Sequence, residues 1–81
     1  MLKHMMYQFM SEKYLYNRVL EDEEKLKGEL SEKDRLAIHE DLFAVMHVII
    51  HRHKYDIDFL NEAMCVLDES IIETNEKIWR A

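Results

Sequence analysis

The sequence predicts an all-α protein, an antiparallel three-helix bundle with helices over about residues 2–27, 31–53 and 56–80. Three observations predict it. One glycine and no proline in 81 residues leave too few breakers for the many turns of a sheet. Glu, Lys, Leu and Met, all good helix formers, are plentiful. Apolar residues recur at spacings of three and four along most of the chain. Leu, Ile, Val and Phe make up 23 of the 81 residues, enough for one small core.

The first helix is expected from Leu2 to Lys27, with a seam of Leu2, Met5, Phe9, Tyr16, Val19 and Leu26 interrupted by Glu12 and Glu23. Gly28 stands where a left-handed residue would end it. Ser31 opens the second helix as N-cap, with Asp34 adding negative charge to its first turn. Its seam is Ile38, Leu42, Val45 and Ile49. The third carries Ile57, Leu60, Met64, Leu67, Ile71, Thr74 and Ile78, with Asp56 or Asp58 as candidate N-cap. If the turn between them is absent, residues 31–80 become one long helix, and the resulting hairpin dimerises into a four-helix bundle.

Composition limits the function. A net charge of −6 argues against gripping a nucleic-acid backbone, which requires a basic face. The only cysteine, Cys65, rules out a disulfide scaffold. No apolar run approaches the length of a membrane span or a secretory h-region, so the chain is expected to be intracellular, in the cytoplasm. Charge is unevenly laid out, with seven acidic residues against three lysines between Glu21 and Asp34.

An enzyme is not expected. Ser11 and Ser70 read as mid-helix residues, Cys65 has no histidine near it in sequence, and no glycine loop could cradle a phosphate. No motif assigns the chain to a family. Apolar residues are left over once each helix has one seam: Tyr7, Tyr14, Phe43, Ile50, Cys65, Ile72 and Trp79 form stripes beside the main ones. Apolar residues around more than one side of a helix imply a second interface. The expected function is therefore a protein–protein interaction module, a regulator or inhibitor that forms a homo-oligomer or binds another protein.

The histidines supply the alternative, a metal- or small-ligand-binding bundle. Glu40, His47 and His51 share one helix face, a three-ligand pattern for a divalent ion, which is the only cofactor the sequence suggests. His39 falls inside the apolar stripe of the second helix, where a neutral, hydrogen-bonded imidazole is expected, with His53 near the same side.

Overall fold

Ser11 and Ser31 decide where the first two long helices begin. Each adopts extended backbone, and each side-chain oxygen accepts the N–H three residues on, Tyr14 and Asp34, at 3.2 Å. The computed structural model describes the backbone of residues 2–52 and 55–80, and the side chains of residues 5–52 and 55–76. Its elements are α1 (Leu2–Tyr7), α2 (Glu12–Lys27), α3 (Glu32–His51) and α4 (Ile57–Arg80). The three long helices match the predicted bundle. The expected first helix, however, is divided at residues 8–11, because Ser11 is an N-cap rather than a mid-helix residue.

The division changes what the N-terminal segment buries. It turns the carbonyls of Tyr7, Gln8 and Met10 toward Arg52 of the second turn, whose Nη2 donates to them at 3.4, 3.1 and 2.6 Å. It brings Tyr7 into the core and leaves Phe9, expected in the seam, almost fully exposed. Arg52 thus caps a helix end that is distant in sequence, the favourable place for a cation.

Gly28 closes α2 by another route than the left-handed one expected. Its φ of −91° and ψ of −175° are extended, and its N–H donates to the Lys25 carbonyl. Arg35 covers the remaining acceptors, donating from Nη1 to the Leu26 carbonyl at 3.1 Å and from Nη2 to that of Gly28 at 3.3 Å. The second turn exists, so α3 and α4 are separate. Asp56 is its cap, accepting from the N–H groups of Asp58 and Phe59 at 3.0 and 3.2 Å, while its own N–H donates to the Tyr16 hydroxyl.

The core joins Leu15, Val19 and Leu26 of α2 to Leu42, Val45 and Ile49 of α3 and to Leu60, Ala63 and Leu67 of α4. On α4 the buried line runs through Leu60, Ala63, Leu67, Ser70 and Thr74, so Met64 and Ile57 of the expected seam turn outward and Ile71 is only half-buried. Ser70 lies inward because it meets His39 and Arg35. The molecule measures 40 × 27 × 18 Å. Its shortest dimension is about two helix diameters, so α3 and α4 are covered from one side only.

Candidate functional site

Four side chains from three helices meet in the interior. Asp41 of α3 accepts from the Tyr7 hydroxyl of α1 at 2.5 Å and from Nε of Arg18 of α2 at 2.9 Å. Asp22, one turn after Arg18, is fully buried, and neither carboxyl oxygen receives a hydrogen bond from a described N–H or O–H donor. It faces Asp41. Two ionised carboxylates cannot share such a place, so one keeps a proton and gives it to the other as a hydrogen bond. Burial, then the Asp41 hydrogen bond and charge, push the Asp22 carboxyl up to about 8. Burial acts on Asp41 as well, but hydrogen bonds from Asp22, Tyr7 and Arg18 outweigh it and hold Asp41 below the usual carboxylate range. The Tyr7 hydroxyl is pushed up by burial and by Asp41. The cluster locks α1, α2 and α3 together around one proton and one ion pair, with both acids buried.

A second buried group lies at the other end. Arg35 Nη1 and His39 Nε2 both meet the Ser70 hydroxyl, at 3.1 and 2.7 Å. Burial and then the neighbouring Arg35 charge lower the His39 pKa, as expected for a neutral core imidazole. A cleft of about 230 Å³ opens beside this group, bordered by Lys27, Arg35, Glu69 and Glu73 among others. Arg35 spends its donors on the end of α2, so the group serves the fold.

The exposed surface carries the most organised feature. Leu36, Phe43 and Ile50 stand seven apart on α3, and Ile57, Met64 and Ile72 stand seven and eight apart on α4. All six are between 37% and 58% exposed, too much for core residues of a bundle this small. The His39–Ser70 contact sets the antiparallel register, which puts Leu36 level with Ile72, Phe43 near Met64 and Ile50 near Ile57. Between the helices, Phe43, Met46, His47, Ile50 and Met64 line one cleft of about 230 Å³. The result is a shallow apolar cleft between α3 and α4, with Leu36, Ile57 and Ile72 as exposed apolar rungs further along the two helices.

Of the stripe residues picked from sequence, Phe43 and Ile50 line this cleft, and Ile72 is exposed on α4. Cys65 is exposed on α4. Tyr14 is exposed on α2, away from the groove, with its ring 6.5 Å from that of Tyr7. Tyr7 itself is a correction: only 2% exposed, it is a core residue held by its hydroxyl to Asp41. The side chain of Trp79, and His53 altogether, lie outside the described residues. Ile57 and Met64 fall in the predicted seam and Leu36 in neither seam nor stripe; its spacing of seven from Phe43 was the available signal.

The structure brings two of the three metal-ligand candidates together. The His47 and His51 rings lie 4.3 Å apart, edge toward face, and both border a cavity of about 420 Å³ that also touches Gln8, Val48 and Arg52. Glu40 shares their face, but at 1.5 Å per residue it stands about 10 Å along the axis from His47. No group of three His, Cys, Asp or Glu able to hold a metal ion occurs among the described residues. No helix among the described residues is long and apolar enough to cross a membrane. Compared with protein-family models, curated proteins and solved structures, the chain finds no match.

Proposed function

We propose that the chain is a protein-interaction module rather than an enzyme, and that a second copy of itself occupies the α3–α4 groove. The observation that carries this reading is the palindromic order of the exposed rungs. Leu36 and Ile50 are equidistant from Phe43, and Ile57 and Ile72 lie nearly symmetric about Met64 and Cys65. A two-fold axis through the groove would set Phe43 against its own counterpart, Leu36 against Ile50, and Ile57 against Ile72, the self-complementarity an isologous dimer requires. The polar residues between the α4 rungs agree. The same axis puts Asn61 opposite Asp68, with no like charges facing each other there.

Size supports a reversible dimer. A face about 30 Å long and two helices wide presents about 600 Å² per copy, so about 1,200 Å² in total, the lower end for stable specific interfaces. The test uses the axis itself. Light scattering between micromolar and 200 µM protein should give a dimer for the native chain. Phe43→Glu and Phe43→Lys should each be monomeric, since each puts like charges face to face, while their equimolar mixture should pair. A native chain that stays monomeric at 200 µM, or variants that dimerise as well as it does, would refute the reading.

A further inference from the structure

We propose that His47 and His51 form a two-histidine clamp for a divalent transition metal of tetragonal preference, copper(II) before nickel(II) and zinc. Two histidines four apart on a helix stand one above the other, and the last turn of α3 is the end whose carbonyls favour positive charge. Both rings are exposed, so neither has to be pulled from the core to bind. Their separation selects the geometry. A metal 2.0–2.1 Å from each ligating nitrogen would lie about 3.2 Å from each ring centre. Once each ring leaves the edge-to-face contact to aim a nitrogen at the ion, ring centres kept 4.3 Å apart would subtend about 85° at the metal. That is close to the right angle between adjacent positions of a square-planar or octahedral sphere, and well short of the tetrahedral angle zinc prefers in structural sites.

The surroundings are compatible with an open site. The adjoining cavity has room for water or a small ligand at the remaining positions, and Gln8 on its wall offers an amide oxygen. Arg52, which borders the same cavity, has its Nη2 turned to three backbone carbonyls. With two protein nitrogens and no third His, Cys, Asp or Glu among the described residues, the clamp is an exchangeable site, unlike the closed four-ligand sites that hold structural zinc.

The test is a titration of the full chain with copper(II), nickel(II) and zinc(II) separately, read by calorimetry and, for copper, by electron paramagnetic resonance. It is done in the Phe43→Lys background, so that self-association cannot enter the result and no carboxylate is added beside His47. One copper is expected per chain, with hyperfine coupling from two imidazole nitrogens and copper bound most tightly of the three ions. His47→Gln and His51→Gln should each weaken binding about tenfold or more, because losing a direct ligand costs at least what losing its supporting partner does. Glu40→Gln should leave it unchanged. Circular dichroism checks that each variant keeps its helicity, as exposed positions should. Equal copper affinity in His47→Gln or His51→Gln, loss of binding in Glu40→Gln, or a spectrum without imidazole nitrogen would overturn the assignment.

Discussion

Replacing Asp22 by Asn should make the protein more stable, by an amount that grows with pH. The folded chain holds the Asp22 proton up to about pH 8, whereas an unfolded aspartate gives it up near 4. Between those values the native state binds one proton more than the unfolded state. Stability must therefore fall as pH rises across this window, by about 1.4 kcal/mol per pH unit for a single proton. Asp41 does not cancel the effect, because its lowered pKa acts only below about pH 4, where its stabilising contribution disappears as it is protonated. Asn at position 22 is neutral at every pH and can donate its amide N–H to Asp41 as the protonated acid does. The native chain and Asp22→Asn should have similar stability near pH 4. From pH 5 to pH 7 the gap should widen by up to about 3 kcal/mol, or roughly 10–20 °C in Tm for a domain of this size. Urea unfolding at half-unit steps from pH 5 to 8 measures the gap. Parallel profiles for the two proteins would show that Asp22 is ionised in the fold and that the shared-proton account fails.

His39 should act with the opposite sign. Its lowered pKa means the unfolded state takes up a proton first, so its contribution is intact above about pH 6.5 and is lost as pH falls through that value; melts at pH 5.5 and 7.5 should show this component disappear in His39→Gln. Leu67→Ala, at a position with no exposure, should cost about 2–5 kcal/mol in denaturant unfolding. Ile71→Ala, only half-buried, should cost less, and an equal cost would mean α4 is rotated from the orientation described. Gly28→Ala should be neutral or stabilising by up to about 1 kcal/mol, since it mainly restricts the unfolded chain. The added methyl would meet only the Lys25 and Glu24 carbonyls, at 3.6 and 3.9 Å, and a loss above about 1 kcal/mol would require a left-handed Gly28.

The parts legible in the sequence were those where one physical signal acted alone. Leu42, Val45 and Ile49 follow a helical period without competition, and all three are core. Breaker scarcity and the Ser31 cap placed the long helices for the same reason. Ser11 was passed over because serine is tolerated inside helices. What makes it a boundary is Arg52, more than forty residues away, collecting the carbonyls the break exposes. Asp22 was invisible as core because hydropathy ranks it with the surface; only the arrival of Asp41 and Tyr7 from other helices, beside Arg18 one turn away, makes its burial tolerable. The same non-local partner took Tyr7 from the surface stripe. For Glu40, His47 and His51, angular position was weighed without axial rise. A shared face groups residues for a partner helix; a single ion also needs them at one height.

The shared proton of Asp22 and Asp41 also leaves a thermal trace. Counted from composition the chain carries −6 at pH 7, but the folded molecule keeps one carboxyl neutral, so unfolding at that pH releases a proton to the buffer. The heat of unfolding then contains the buffer's own enthalpy of protonation. Scanning calorimetry in phosphate and in an amine buffer, which differ widely in that enthalpy, should return different values for the same transition, and their difference divided by the difference in buffer enthalpy counts the proton.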